Sequence, residues 1–321
     1  MDPSGLYKAV AGLDMSHPKI LTGTKNSEDA SVFAIDDKLA IVQTLDYITP
    51  VVDDPYIYGQ IAAANALSDC FAMGANAITA LNILGFDECH FDSEIANEIM
   101  AGGASKIREC GAALVGGHST SSPEMFYGLS VTGIAKNGKF WANNTAKIDD
   151  VLILTKPLGF GVLATAIKAG LAKNVQIKEA SRLMSQLNYY ALAALSEINV
   201  NACTDVTGFG LLGHLYEMTR DEISVELSLK DIPLLLSAQE FSAMGLIPEG
   251  SYKNREFVSE FVSGEADMLL YDAQTSGGLL IAVSQKDANI ALKKLKEAGY
   301  EHSAIIAHIT KSYSKEKIRV V

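Results

Sequence analysis

Short runs rich in Val, Ile and Leu, separated by polar turns, predict strands over Ser31 to Ile35, Leu39 to Leu45, Ile78 to Leu84, Ala112 to Val115 and Tyr127 to Ala135. Between them the period changes. Gly59 to Ala72 is Ala-rich with its apolar residues spaced for one face, and Glu94 to Cys110 repeats Ile95, Ile99, Gly103 and Ile107 every fourth position, so both read as helices. The polar turn Asp36-Asp37-Lys38 joins the first two strands as a hairpin, which predicts a sheet that is not purely parallel. Beyond the polar stretch Lys136 to Asp150, strands are predicted at Val151 to Thr155, Gly278 to Val283 and Ala304 to Ile309. Helices are predicted at Gly161 to Ala172, Glu179 to Ile198, Phe209 to Thr219 and Lys286 to Ala298. The pattern is α+β, in two domains over residues 1–145 and 146–321.

Composition narrows the class. The chain has 321 residues, about twice the ~150 of a typical domain, and its 48% hydrophobic and 20% charged residues place it among globular proteins. Twenty-six Lys and Arg against 38 Asp and Glu give a net charge of −12, which argues against a nucleic-acid partner. Cys70, Cys89, Cys110 and Cys203 form neither a CxxC nor a zinc-finger spacing, so a reducing compartment is expected. The absence of a basic, apolar leader and of any run of about 18 apolar residues predicts a cytoplasmic protein without a membrane partner. Neither a Walker-A sequence nor an HExxH is present, which excludes P-loop kinases and zincin proteases.

Four aspartates stand at the edges of apolar elements: Asp29, Asp46, Asp69 and Asp205. Any one of them could be a turn or cap residue. Asp69 is different, because helical spacing puts it on one face with Asn65 in a segment otherwise made of Ala, Leu, Phe and Met. If the carboxylates converge, their repulsion raises their pKa values unless a hard divalent ion sits among them, and an all-oxygen set suits Mg²⁺ or Mn²⁺. The glycines of Val115-Gly116-Gly117-His118-Ser119 could bring backbone N–H groups close to an anion, although a plain Gly-Gly turn is the simpler reading. Gly208-Phe209-Gly210-Leu211-Leu212-Gly213 matches GxGxxG spacing, but Cys203-Thr204-Asp205-Val206-Thr207 before it lacks the expected buried apolar strand and carries an Asp that would repel a pyrophosphate. Thr275-Ser276-Gly277-Gly278 reads as the turn leading into a strand.

Taken together, several segments resemble the selenophosphate synthetase family. They are Thr44-Leu45-Asp46-Tyr47 with Thr49-Pro50-Val51-Val52-Asp53-Asp54-Pro55, then Ala63-Ala64-Asn65-Ala66-Leu67-Ser68-Asp69 with Phe71-Ala72-Met73-Gly74, and Gly116-Gly117-His118-Ser119. Thr204-Asp205-Val206-Thr207-Gly208-Phe209-Gly210-Leu211-Leu212-Gly213-His214 and Gln274-Thr275-Ser276-Gly277-Gly278-Leu279 complete the set, in one order from Met1 to Val283. The resemblance implies an aminoimidazole ribonucleotide synthetase-like fold of two domains, with mixed sheets and helices on one face. It implies an enzyme that uses ATP to turn selenide and water into selenophosphate, with AMP and orthophosphate as products. By position, Asp29, Asp69 and Asp205 match the family's Mg²⁺ ligands, Asp46 an ATP-contacting carboxylate, and Asn26, Ser27 and Glu28 the nucleotide loop. Gly117, His118 and Ser119 match a stretch that reaches ATP from the partner subunit of a homodimer.

Family members also carry a reactive Cys or selenocysteine, followed three residues later by a Lys, upstream of the position where this sequence begins. Neither lies in the 321 residues, and the four cysteines read as packing residues. The sequence as written is therefore expected to bind nucleotide better than it turns over. A non-catalytic nucleotide-binding relative, or another ATP-using enzyme of the superfamily, is the alternative.

Overall fold

The first sheet is built from β1 (Ser31–Ala34), β2 (Leu39–Ile48), β3 (Asn76–Phe86), β4 (Ala113–Ser121) and β5 (Phe126–Lys136), with β2 alternating between the core and the open face and β4 exposed throughout. The structure is a computed structural model that describes residues 5, 9–10, 12–22, 27–136, 138–219, 223–312 and 315–321. The strand order is β1-β2-β5-β3-β4, with β1 and β2 forming the expected antiparallel hairpin and β3 and β4 running parallel. Val32, Val42, Ala80, Leu84, Leu129 and Val131 point from this sheet into one core. Helix α1 (Pro55–Ala72) covers them and α2 (Ser93–Glu109) supplies the crossover from β3 to β4. Asp54 caps α1 by accepting from the Ile57 N–H, with Pro55 in the first turn where its missing donor costs nothing.

The second sheet has the order β7-β10-β6-β11-β8-β12-β9. Its strands are β6 (Asp150–Leu154), β7 (Val200–Asp205), β8 (Ile223–Leu227), β9 (Val262–Ser263), β10 (Leu279–Ser284), β11 (Ala304–Lys311) and β12 (Ile318–Val320). Helices α3 (Phe160–Lys168), α4 (Asn174–Met184), α5 (Tyr189–Ala194), α6 (Gly210–Met218), α7 (Leu236–Ala243), α8 (Glu249–Val258) and α9 (Gln285–Glu297) surround it. Helices on one face describe the first sheet; the second is covered on both. Leu152 and Leu154 pack with α6, while Val151 and Ile153 pack with α5 and α9. Helix α1 is buried around most of its circumference, since its second side meets Phe160, Leu163, Leu183 and Met184. No helix among the described residues is long and apolar enough to cross a membrane.

Three local expectations change. The helix expected over Glu179 to Ile198 is two helices, because the carbonyls of Gln186 and Leu187 are taken by Lys156 Nζ and the Tyr300 hydroxyl. The glycines Gly116 and Gly117 lie inside β4 rather than in a turn after it, and a Cβ on Gly117 would sit 2.3 Å from the Asn82 carbonyl oxygen. A strand does precede Gly208, namely β7, but it is an edge strand antiparallel to β10, which is not the parallel unit of a dinucleotide-binding fold. The short elements β8, β9, β12, α7 and α8 had no pattern long enough to be predicted.

The two helices of the first half cross at glycines. A Cβ on Gly102 would lie 2.0 Å from the Tyr56 carbonyl oxygen, and one on Gly59 1.9 Å from that of Ile99. Gly102→Ala must push the helices apart, so urea unfolding should show a loss of about 1–3 kcal/mol. Gly250→Ala, whose Cβ would meet nothing nearer than 3.8 Å, should stay within ~0.5 kcal/mol of wild type.

Candidate active site

The seam between the two sheets gathers four carboxylates from four elements. Helix α1 turns Asn65, Ser68 and Asp69, three and four positions apart, toward the second half of the chain. The end of β2 supplies Thr44 and Asp46, which share a strand face. Thr44 Oγ1 donates to Asp69 Oδ2 at 2.5 Å, and Asn65 Nδ2 donates to Asp46 Oδ2. Asp46 Oδ1 also accepts from the Tyr47 N–H at 2.9 Å. The end of β7 supplies Thr204 and Asp205. Thr204 Oγ1 donates to Asp29 Oδ1 at 2.7 Å, while Ser68 hydrogen-bonds Asp205 and itself accepts from Asn188 Nδ2 at 2.8 Å.

Every acid here has a neutral partner and an unfriendly charge nearby. Burial, then Asp205 and Asp69, pushes the Asp29 carboxyl well above the usual range. Burial, then Asp205 and Asp46, does the same to Asp69. Asp205 is raised by burial, and Asp46 is pushed up to about 6 by burial and by Asp205. Lys156, 1% exposed, stands beside this group but gives its ammonium protons to the carbonyls of Gln186 at 2.7 Å and Ser276 at 2.9 Å. Burial lowers it to about 7.

The residues fit a hard divalent cation. Asp29 Oδ2 and Asp205 Oδ2 are buried and have no hydrogen-bond partner among the described residues, and the donor set is entirely oxygen. Among the described residues no three His, Cys, Asp or Glu side chains are placed to hold a metal ion by themselves, so a cation here would need water or phosphate oxygens as well. A cavity of about 300 Å³ opens beside the group, lined by Asp46, Asn65, Thr207, His214, Gln274 and Thr275 among others. His214 Nε2 accepts from the Thr207 N–H at 3.1 Å, which leaves the ring proton to Nδ1, 3.4 Å from Glu217 Oε2.

The structure thus brings Asp29, Asp46, Asp69 and Asp205 together. Asn143 joins the chain next to them, its N–H donating to Glu28 Oε2 at 3.0 Å and its side chain to the Ser27 carbonyl at 2.9 Å. Asn26 lies outside the described residues. Gly117, His118 and Ser119 are not brought to the carboxylates within one chain: β4 is three strands from β2, about 14 Å at ~4.8 Å per strand. They line a separate cavity of about 390 Å³ with Asn82 and Met100. Cys70, Cys110 and Cys203 are buried and Cys89 is exposed, and burial pushes the Cys70 and Cys203 thiols up, so the buried thiols are poor nucleophiles. Sequence reasoning missed Lys156, Ser68, Asn188 and the two threonines. Lys156 did carry a signal, as the one charge in the apolar run Val151-Leu152-Ile153-Leu154-Thr155-Lys156-Pro157-Leu158.

Two family models match in sequence order: AIR synthase related protein, N-terminal domain, over residues 27–135, and its C-terminal domain over residues 147–318. The chain is 48% identical to selenide, water dikinase of Aliarcobacter butzleri over 96% of its own length and 91% of that protein's. It is likewise 48% identical to the same-named protein of Campylobacter jejuni NCTC 11168, over 97% and 92%. Among solved structures, the HypE–HypF complex matches at 17% identity with a TM-score of 0.72, covering 98% of this chain and 96% of that one. A thiamine monophosphate kinase from Aquifex aeolicus matches at 14% with a TM-score of 0.66, over 99% and 94%. These last two establish the fold alone. Fold, domain order and near-half identity over almost the whole length agree: the chain belongs to the selenide, water dikinase family.

Proposed function

We propose that the reaction this site serves is the synthesis of selenophosphate from ATP, selenide and water: one phosphoryl group passes to selenide, water takes up another as orthophosphate, and AMP is left. The observation that carries this reading at the site is the pair of buried oxygens without a hydrogen-bond partner among the described residues, Asp29 Oδ2 and Asp205 Oδ2, within a group of four mutually repelling acids. A polyphosphate can approach such a pocket only with cations between the charges. Asp29, Asp69 and Asp205 are the residues that would hold Mg²⁺, which supplies positive charge toward the phosphate oxygens when bound. Asp46, fixed by Asn65 and the Tyr47 N–H, contacts the nucleotide from the β2 side, and Asn26, Ser27 and Glu28 are assigned further nucleotide contacts. Residues 1–145 are in this reading the ATP- and Mg²⁺-binding and dimerisation domain, and residues 146–321 contribute Asp205. The ATP substrate and four unpaired cysteines favour the cytoplasm.

A homodimer built on the first sheet is part of the proposal. The sheet's uncovered face carries Leu45, 58% exposed, and Leu81, 43% exposed, both in register with Ser130 of β5. Tyr47 and Ile83 share the next row through Gly128, and Ile83 is paired with His118. All of β4 is exposed on the edge of that sheet. An apolar face joined to an open edge calls for cover, and a second copy would bring its Gly117, His118 and Ser119 with it.

Calorimetry should find ATP binding tightly with Mg²⁺ and more than ~10-fold more weakly in EDTA, with Asp205→Asn losing most of the Mg²⁺ dependence. Equal binding in EDTA would refute the metal bridge. The pH dependence has a definite sign. Asp46 binds its proton more tightly when folded, up to about 6 against 3.8, so in metal-free protein its contribution to stability falls as pH rises from about 4 to 6. Metal-free Asp46→Asn should therefore match wild type in Tm near pH 4 and exceed it at pH 7, and a lower Tm at pH 7 would contradict the electrostatics. Sedimentation should give a species of twice the 34.3 kDa chain mass, and Leu45→Glu combined with Leu81→Glu should yield the single-chain mass.

A further inference from the structure

The turn ahead of β10 is tied across the seam by its backbone. Ser276 adopts φ +50°, a left-handed conformation unfavourable for a residue with a side chain, and its buried hydroxyl has no hydrogen-bond partner among the described residues. Its peptide groups are fully engaged instead. The Ser276 N–H donates to Asn65 Oδ1 at 2.8 Å, and its carbonyl accepts from Lys156 Nζ at 2.9 Å. The neighbouring glycines fix the turn at close quarters. A Cβ on Gly277 would sit 1.9 Å from the Val206 carbonyl oxygen, and one on Gly278 2.4 Å from the Lys156 nitrogen. Asn188 Nδ2 holds the Gly277 carbonyl at 3.0 Å. From Asn65 the chain of bonds continues through Nδ2 to Asp46 Oδ2.

A lysine used only to fill space would be costly at this position, since an aliphatic chain of the same volume would fill it without burying a charge. What Lys156 does that an aliphatic residue cannot is bind two carbonyls at once, one of which belongs to the strained Ser276 peptide. We propose that Lys156 and the Ser276 peptide form a latch across the seam that orients Asn65, and through it the Asp46 carboxylate, for the nucleotide. Lys156 is then a positioning residue: it is enclosed, and its hydrogen bonds reach the ligand site through Ser276 and Asn65. The inference rests on the nucleotide role given above to Asp46.

The test uses the full chain with Lys156→Met, Asn65→Leu, their combination, and Asp46→Asn. Lys294→Met, which removes a surface cation paired with Glu197, serves as the charge control. Two readouts are followed: amide hydrogen exchange at Ser276, and the Kd for ATP with Mg²⁺. Lys156→Met should speed exchange at Ser276 and weaken ATP binding, each about tenfold, as expected for loss of a hydrogen bond to a charged donor. Lys156→Gln, which keeps one N–H donor, should fall between the two and covers the case in which the Met variant does not fold. In the Asn65→Leu background the Lys156 substitution should add nothing to either readout. Unchanged exchange at Ser276, or penalties from Lys156→Met and Asn65→Leu that simply add, would overturn the latch. Wild-type ATP binding by Asp46→Asn would instead remove Asp46 from the nucleotide, with the latch then judged on Ser276 exchange and its non-additivity alone.

Discussion

Four carboxylates that repel one another, held where two sheets meet, are the constraint around which this molecule is arranged. Like charges in a poorly hydrated place are tolerated only when each is hydrogen-bonded and the surrounding backbone cannot relax away from them. Both conditions are met by ordinary means. Thr44, Asn65, Ser68 and Thr204 each give one hydrogen bond to an acid, and α1, carrying Asn65, Ser68 and Asp69, is packed on both sides and has nowhere to move.

The choice of neutral partners has a chemical consequence. A lysine or arginine salt-bridged to each acid would settle the electrostatics permanently and leave nothing for a cation to do. Hydroxyls and an amide orient the carboxylates while leaving most of their charge uncompensated. Lys156 fits the same logic. It is buried beside Asp205, yet its protons go to the Gln186 and Ser276 carbonyls, so it fixes backbone without forming an ion pair.

How much of this could be read from the sequence follows from the range of the interactions involved. The hairpin, the central strands of the first sheet and both its helices were legible because each is set by a local period or an adjacent turn, whereas β4, exposed along its whole length, carries no period and was read only as far as Val115. Asp69 was legible as a candidate site residue because a carboxylate in an Ala-rich apolar helix contradicts its surroundings, and Asn65 because it shares that face. The convergence itself was not legible from spacing, since Thr204 meets Asp29 across 175 positions and Ser276 meets Asn65 across 211. The motifs supplied what periodicity could not. The break at Gln186 to Asn188 failed for the same reason as the convergence: a helical pattern continues through it, and the bonds that stop the helix come from Lys156, Tyr300 and Ser68, all distant in the chain.

The glycines after Asp205 show how one spacing can serve opposite chemistry. In a dinucleotide-binding turn the strand end is bare and the backbone N–H groups at the helix start are left to receive the pyrophosphate. Here the Thr207 N–H is already bound to His214 Nε2, and Gly210, at φ +70°, is needed because a Cβ would lie 2.7 Å from the Tyr271 carbonyl carbon. Gly210 and Gly213 therefore answer to packing, since a Cβ on Gly213 would lie 2.7 Å from that of Phe209, and the strand end carries a carboxylate. The strand end that leads into these glycines presents the buried Asp205 carboxylate, which disfavours a bare anion there.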